Sequence, residues 1–324
     1  MGNKKCKIRF VIQSYIIIKY SVQLFVFFLW KKMDCKILLH DNIKDSSIFV
    51  NHKTQNQKMK VTELQIYPVK SLGAISLQSS KLTPKGLQYD RNWMLLNEDG
   101  KFMTQRQYPE MALVDTKIEN GELIFFHQKT NQTASIPILK SYGVTLNTNV
   151  WSNSCEVQKV EGIGAWFSKI FGFRCYLVFF PTKNIRTKET ENGIIQNLTS
   201  LSDKSPVLIT NEASLLELNG RLKNPIPMNR FRGNIKVNGN KAFEEDNWKS
   251  VKIGNTIFNT VEICGRCKLI NVNHQTGKPT QEPLPTLATY RKMNREIKFG
   301  MRMTCEVKEG SDAVIRLGDE LKVL

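Results

Sequence analysis

The sequence predicts a β-rich α+β fold, and three observations indicate it. Apolar and polar residues alternate along "TELQIYPV", which points Leu64 and Ile66 to one face of a strand. Asx-Gly pairs follow apolar runs at residues 99–100 and 120–121, and such pairs favour the positive φ angles of tight hairpin turns. Short strands separated by glycine turns fill the second half of the chain, which is typical of a barrel or sandwich.

The first half contains two hairpins, a further strand and a helix. The segments "NWMLLNEDGKFMTQ" and "ALVDTKIENGELIFFH" each fold back at an Asx-Gly pair, and residues 151–161 form another strand. The apolar spacing in "GAWFSKIFG" predicts a short amphipathic helix. "GIG" at residues 162–164 is read as the turn before that helix, because a dinucleotide fingerprint needs a third glycine and a βαβ unit.

The second half begins with the polar segment 182–204, which we interpret as a linker or an active-site loop and as a domain boundary. "PVLITNEASLLELNGRL" then predicts a buried strand and a helix capped by Thr210 or Asn211. Strands with turns at residues 238–239, 254–255 and 318–319 follow, and "LPTLATYRKMNR" predicts one more helix before the last strands. The chain shows no internal repeats.

Residues 1–58 differ from the rest and are predicted to be unnecessary for the fold. A basic start leads into an apolar stretch of about the ~20 residues that span a bilayer, interrupted by polar residues. Three interpretations stand: a membrane anchor through residues 8–30, an uncleaved targeting segment, or sequence upstream of the true start. The segments 59–181 and 182–324 are predicted as two domains.

Composition limits the class of protein. Hydrophobic residues make up 41% and charged residues 23% of 324 residues, as in an ordinary globular protein. A formal charge of +18 suggests an anionic partner such as a phosphate group. The basic residues are dispersed without a nucleic-acid-binding signature, so no nucleic acid partner is expected. Seven scattered cysteines do not form a disulfide framework, which favours a reducing compartment, the cytoplasm.

Cys264 and Cys267, which are separated by two residues, are the main candidates for chemistry. Zinc needs four ligands and the sequence has no second CxxC, while a thioredoxin-type dithiol needs a helix after the strand. Here the pair ends a predicted strand, and "KLINV" is predicted as another strand. Two interpretations remain: a single thiolate ligand suited to molybdenum, copper or iron, or two small core residues.

Three short segments carry residues that suit a phosphate group. "YPVKS", "YDRNW" and "RFRGN" each place a basic or hydroxyl side chain at a strand end or turn. Together Lys70, Ser71, Arg91 and Arg232 can hold a phosphate by charge-assisted hydrogen bonds. Surface salt bridging is the alternative for each of them taken singly.

From about Thr62 to Leu324 the sequence resembles the MOSC-domain proteins, close to the mitochondrial amidoxime reducing component and its bacterial relatives. The resemblance rests on several motifs in the right order, among them "GLQYDRNWMLLNEDGKFMTQRQYPEMALV", "NRFRGNI", "CGRCKLINVNHQTG" and "EPLPTLATYR". It implies a MOSC N-terminal β-barrel domain followed by a MOSC β-barrel domain with a few helices. It also implies a molybdenum cofactor, in which molybdopterin and one protein cysteine bind the metal.

The resemblance assigns roles to particular residues. Cys267 matches the metal-binding thiolate, and Asp203 and Asp246 match two acids near the metal that are candidates for proton transfer. We expect Arg266 to add positive potential where oxyanion charge develops. The cofactor-binding residues implied by the resemblance are Lys70, Ser71, Arg91, Ser205, Arg232 and Asn234.

The implied reaction is reduction of N-hydroxylated substrates such as amidoximes and hydroxylamines. No further cysteine cluster follows before Leu324, so electrons are expected from a separate protein, a flavoprotein reductase or a cytochrome b-type carrier. The alternatives are a molybdenum cofactor carrier and a sulfur-transfer protein of the cofactor sulfurase type. A pyridoxal phosphate label also occurs for such domains, but a pyridoxal enzyme needs its own large fold.

Overall fold

Strands dominate the regular structure, which confirms the predicted β-rich α+β class. The computed structural model describes residues 58–188 and 197–324. The strands in chain order are β1 Val61–Ile66, β2 Ile75–Leu77, β3 Ser79–Thr83, β4 Gly86–Leu87, β5 Trp93–Asn97, β6 Val114–Glu119, β7 Glu122–His127, β8 Thr133–Pro137, β9 Thr145–Val150, β10 Asn153–Lys159, β11 Cys175–Phe179, β12 Thr187–Lys188, β13 Asn197–Leu198, β14 Val207–Asn211, β15 Ile235–Val237, β16 Ser250–Ile253, β17 Thr256–Arg266, β18 Val272–Asn273, β19 Lys278–Pro279, β20 Lys292–Met293, β21 Glu296–Cys305, β22 Val314–Arg316 and β23 Leu321–Val323.

The described residues contain three short α-helices, α1 Gly164–Phe171, α2 Glu212–Asn219 and α3 Leu284–Tyr290, each within a segment predicted as helical. The third is shorter than the predicted 284–295, because Lys292–Met293 pairs with β21 as β20. Asn211 is the cap of α2, since its side-chain oxygen accepts a hydrogen bond from the backbone N–H of Ala213 at 3.0 Å. Gly172 ends α1 in the left-handed conformation, with φ of 78°.

The largest sheet joins the first strand of the fold to strands near the end of the chain. Its order is β2-β1-β15-β14-β21-β17-β16-β23, with β20 paired to β21. Among the described strand pairs of this sheet, β14 and β15 are parallel and the others are antiparallel. Because β1 pairs with β15 across some 170 residues, residues near Lys70 and residues near Arg232 lie on neighbouring chain segments. The division at residue 182 stays a prediction.

Smaller sheets cover the segment between β4 and β13. Strands β5, β11, β10 and β9 form a four-stranded sheet, and β6, β7 and β8 form a meander. The β6–β7 hairpin turns at Asn120-Gly121, where both residues have positive φ, 51° and 78°. This is the turn that the Asx-Gly pair predicts.

Two large hydrophobic cores support these sheets. One lies against the largest sheet and buries residues such as Leu64, Ile235 and Met301. The other surrounds Trp93, Phe125 and Phe167. The inward-facing residues Leu64 and Ile66 are both buried, as the alternation in β1 predicts.

The prediction of a strand over "KLINV" is wrong. A 3-10 helix spans Lys268–Asn271, and only Val272–Asn273 pairs as β18. The apolar residues are buried by a tight turn and not by a ladder, since Ile270 packs with α2 and α3 residues such as Leu218 and Leu287. The chain therefore leaves β17 abruptly at Cys267.

No helix among the described residues combines the length and apolar character needed to cross a lipid bilayer. The candidate membrane span at residues 8–30 and the other interpretations of residues 1–58 fall almost entirely outside the described residues.

Candidate functional site

One cavity of about 140 Å³ gathers nine of the ten predicted site residues. The exception is Asp246, which does not line it. Seven cationic side chains and one carboxylate line the cavity, so its field favours an anionic ligand. The predicted residues in its wall are Lys70, Ser71, Arg91, Asp203, Ser205, Arg232, Asn234, Arg266 and Cys267.

The two cysteines of the pair lie in different environments. Cys267 is exposed and directly follows β17, whereas Cys264 is buried. Both are free thiols that line the cavity. A register shift between Ile263 and Gly265 bulges β17 against β21 beside the pair. Bulges redirect side chains next to functional sites, and here the bulge separates an accessible thiol from an inaccessible one.

Asp203 is the single carboxylate of the cavity wall, and three polar groups contact it, from Lys70, Arg106 and Trp151. Lys70 Nζ forms a short ion pair with its Oδ1 and also donates to the carbonyl of Leu201 at 2.9 Å. Arg106 Nη2 lies 3.3 Å from the other oxygen, Oδ2. Lys70 is buried and Asp203 is partly exposed, so the pair bridges the wall and the open side of the cavity.

These contacts set the protonation state of Asp203. Burial alone would raise its pKa, but the charge and hydrogen bond of Lys70, with Arg106 and Trp151, outweigh burial and hold the pKa below its usual range. A raised pKa would favour proton donation by Asp203. The pKa of Asp203 is lowered instead, which disfavours that role. Burial lowers the pKa of Lys70, and the charge of Asp203 opposes that effect.

The sequence did not predict Trp151 and Arg106 as neighbours of Asp203. Trp151 Nε1 donates to Asp203 Oδ1 at 3.0 Å. The Arg106 guanidinium carbon lies 4.4 Å from the centroid of the Trp151 ring. Their signal in the sequence is weak, because each is an isolated residue in a turn far from the other segments.

Arg91 and Arg232 are held on Tyr67, whose ring centroid lies 4.3 Å and 4.1 Å from their guanidinium carbons. Arg91 Nη2 donates to the Arg232 carbonyl at 3.0 Å, and Arg232 Nη1 donates to the Leu72 carbonyl at 2.8 Å. Burial lowers the pKa of Arg232 to about 10 and raises that of Tyr67 to about 12. Arg232 therefore remains a cation and Tyr67 a neutral phenol near pH 7.

Arg266 reaches the cavity from the end of β17. Its Nε donates to the Phe299 carbonyl at 2.8 Å and its Nη1 to the Phe231 carbonyl at 2.9 Å. Its Nη2 is buried and has no hydrogen-bond partner among the described residues, and the same holds for Arg232 Nη2 and Arg106 Nε. Buried donors without partners are costly, so three of them around one cavity indicate a ligand rich in oxygen.

Three of the phosphate-suited residues have unusual backbones. Ser71, Arg91 and Arg232 have φ angles of 69°, 50° and 54°. The left-handed region is uncommon for residues other than glycine, asparagine and aspartate, and it costs free energy at each position. Such strain clusters at ligand sites, because the surrounding structure holds side chains where a ligand needs them.

The remaining predicted residues differ in what they offer. Asn234 uses its side chain as a backbone link, accepting from Leu208 N at 3.1 Å and donating to the Gln65 carbonyl at 3.2 Å. Ser205 Oγ donates to the Val207 carbonyl at 3.1 Å. Asp246 lies away from the cavity wall in an ion pair with Arg291 at 2.6 Å. The structure thus does not bring Asp246 to the other nine.

A molybdenum cofactor fits these residues. Within the described residues, no group of three or more His, Cys, Asp or Glu side chains is placed to hold a metal ion alone. A metal at the exposed Cys267 thiol therefore needs further ligands from a cofactor. The cations and unpartnered donors match the phosphate that such a cofactor carries.

Comparison with known proteins gives two family matches. Residues 58–174 match the MOSC N-terminal beta barrel domain, and residues 197–322 match the MOSC domain. The mitochondrial amidoxime reducing component 2 of Rattus norvegicus is 33% identical over 80% of this chain and 81% of its own length. That of Bos taurus is 33% identical over 71% and 72%.

A second group of relatives is longer than this chain. The molybdenum cofactor sulfurase of Oryza sativa subsp. japonica is 32% identical over 77% of this chain but only 33% of its own length. The chain thus spans about a third of the sulfurases that it matches. A solved structure, the YUAD protein from Bacillus subtilis, covers 82% of this chain and 94% of its own at 10% identity and a TM-score of 0.36, too distant a likeness for any argument.

Proposed function

The chain belongs to the MOSC-domain proteins, and mitochondrial amidoxime reducing components match it across most of its length. From this premise we propose that the protein is a reductase of N-hydroxylated compounds. The proposed substrates are amidoximes and hydroxylamines, and the proposed cofactor is Mo-molybdopterin. In the net reaction an amidoxime takes up two electrons and two protons and yields an amidine and water.

One observation supports the proposal above the others: a single exposed thiol shares a cavity with an excess of cations and three unpartnered donors. Cys267 would provide the metal-binding thiolate. Lys70, Ser71, Arg91 and Arg232 would hold the phosphate, and Ser205 and Asn234 would shape the wall beside it. When bound, the molybdenum cofactor would supply two-electron removal of oxygen from the N–O bond.

The protein side chains would supply electrostatics and orientation. Because Asp203 stays ionised near pH 7, its carboxylate orients Lys70 and Arg106 and does not donate a proton. Arg266 is partly buried and fixed by two backbone carbonyls, so its buried Nη2 donor is preorganised for oxyanion charge on the substrate. Protons for water formation then come from solvent through the open side of the cavity. Asp246, paired with Arg291, is a positioning residue for α3 in this proposal.

The electrons would come from a separate protein, a flavoprotein reductase or a cytochrome b-type carrier. We propose that the protein is cytoplasmic. Any contact with a membrane would be made by residues 1–58.

A second function class is favoured by the sulfurase relatives and by the second thiol in the cavity. In that class the protein transfers sulfur through a persulfide on Cys264 or Cys267. A third class, a carrier, would hold the cofactor without turnover.

Metal analysis of the full chain, produced in a host that makes molybdopterin, tests the proposal. We expect near-stoichiometric molybdenum, loss of the metal in Cys267→Ala, and amidoxime reduction only with the metal bound. Cys264→Ala is the matched control and should keep molybdenum, because its buried sulfur is not the ligand. Zinc or no metal in a folded protein would overturn the reductase proposal, and persulfide on either cysteine would favour sulfur transfer. Bound molybdenum without reduction would favour a carrier.

A further inference from the structure

Trp151 occupies an unusual position beside the cavity. It lies in the turn between β9 and β10, and 45% of its surface is exposed. Its φ is 59°, a left-handed backbone that bulky residues rarely adopt. Val150 pairs with Asn153, so residues 151 and 152 form a two-residue hairpin loop, and the favoured turns of such loops have a positive φ at the first residue. The tight turn thus fixes the backbone that carries the indole.

Three neighbours fix the indole ring. Its Nε1 donates to Asp203 Oδ1 at 3.0 Å. The Arg106 guanidinium covers one face, with 4.4 Å between its carbon and the ring centroid. The Phe102 ring meets it at 5.3 Å and 72°, an edge contact. Asp203 and Arg106 line the cavity, so the ring contacts two residues of the cavity wall without being a lining residue itself.

A rigid, exposed aromatic surface beside a cavity selects flat groups. Stacking on an aromatic ring adds about 0.5–1.5 kcal/mol beyond the area buried. The seven cations of the cavity disfavour a further cation, so a neutral flat group suits the free ring surface better than a charged one. N-hydroxylation makes an amidine much less basic, which leaves an aryl amidoxime neutral at pH 7.

We propose that Trp151 is a specificity-determining residue, and that it selects N-hydroxylated substrates bearing a flat conjugated group, such as aryl amidoximes, over small aliphatic ones. This inference rests on the proposed reductase function and names its substrate class.

The test compares benzamidoxime with acetamidoxime, in which a methyl group replaces the ring, on molybdenum-loaded full-length protein. Trp151→Ala should raise the KM for benzamidoxime about tenfold and change that for acetamidoxime less than about threefold. Trp151→Phe keeps a flat ring and should stay within about threefold of wild type for both. Phe126→Ala, which removes an exposed aromatic ring outside the cavity, should leave both KM values unchanged.

Both Trp151 variants lose the N–H bond to Asp203, so an effect transmitted through that carboxylate would appear in kcat for both variants and both substrates. A KM effect confined to Trp151→Ala and benzamidoxime supports substrate contact. Equal KM changes for both substrates, or none for either, would overturn the inference while the reductase function stands.

Calorimetric binding without an electron donor separates this inference from the reductase function. Benzamidoxime should bind wild type about tenfold more tightly than it binds Trp151→Ala. If that difference appears in a protein that reduces neither compound, the reductase proposal fails and the binding preference stands. If wild type does not bind benzamidoxime, the preference is overturned.

Discussion

At the scale of single residues, position decides what a side chain can do. Cys264 and Cys267 are the same residue type three positions apart, yet one sulfur is buried and the other accessible. Asp203 and Asp246 are both ion-paired acids, but Asp203 lines the cavity and Asp246 does not. An ion pair alone therefore does not identify a site residue, whereas a place in the cavity wall makes the residue a candidate.

The ion pair of Asp203 and Lys70 predicts a dependence of stability on pH. The folded-state pKa of Asp203 lies below its unfolded value of about 3.9. Its contribution is therefore complete above that value and is lost as the pH falls below it. Asp203→Asn should lower the free energy of unfolding by about 1–2 kcal/mol at pH 7, discounted because the Asp203 side chain is 37% exposed.

Urea unfolding at several pH values measures this effect, and the difference from wild type should shrink below about pH 4. Asp312→Asn is the control, because Asp312 makes the same kind of pair with Lys81 but is fully exposed. A difference for Asp203→Asn that stays constant down to pH 3 would show that the charge of Asp203 is not its cause.

At the scale of secondary structure elements, the pairing of β17 with β21 positions Arg266. Gly300 lies in β21 with φ of 76°, and a Cβ built there would lie 2.9 Å from the Ile209 carbonyl oxygen and 3.4 Å from Arg266 Nη2. The absence of a side chain lets β14, β21 and the arginine approach each other closely.

Gly300→Ala should therefore lower the free energy of unfolding by more than the backbone strain alone would. Alanine in the left-handed region costs about 1–2 kcal/mol, and the contact with backbone adds to it, so we expect about 3 kcal/mol. Gly172→Ala is the matched control: the φ of Gly172 is 78°, and, apart from its immediate neighbours in the chain, none of the described residues has an atom within 4 Å of a Cβ built there. Equal losses for the two variants in urea unfolding would refute the close-approach argument.

At the scale of the whole molecule, the cavity concentrates the positive charge of a chain with net charge +18. Its wall comes from segments near residues 70, 91, 106, 203, 232, 266 and 302. Such a field attracts anions over distances comparable to the Debye length, which is about 10 Å at 0.1 M salt.

The affinity of metal-free protein for pyrophosphate, an anionic probe, should fall about tenfold between 20 and 200 mM NaCl. Lys204→Met, which removes an exposed charge from the cavity wall, should weaken binding and reduce the salt dependence. Lys322→Met removes an exposed charge from outside the wall and should match wild type. Identical calorimetric results for the two lysine variants would contradict a role for the cavity field.

Local sequence patterns predicted most helices and turns, but they did not predict contacts between residues far apart in the sequence. The Asn120-Gly121 turn and the Asn211 cap depend on neighbouring residues and were predictable. The pairing of β1 with β15 and the contact of Trp151 with Asp203 join distant segments, and periodicity carries no information about them. The apolar "KLINV" fits a strand or a buried turn equally, and tertiary packing decided for the turn.

The pairing of β1 with β15 has a consequence for synthesis on the ribosome. The first strand leaves the exit tunnel long before its partner is translated, and Arg302 of the cavity wall follows later still. A nascent chain can pair β1 with β2 but exposes the other edge of β1 until β15 is made, and an open strand edge invites chaperone binding. A complete cavity wall, and with it the site for any cofactor, therefore requires translation to have passed Arg302.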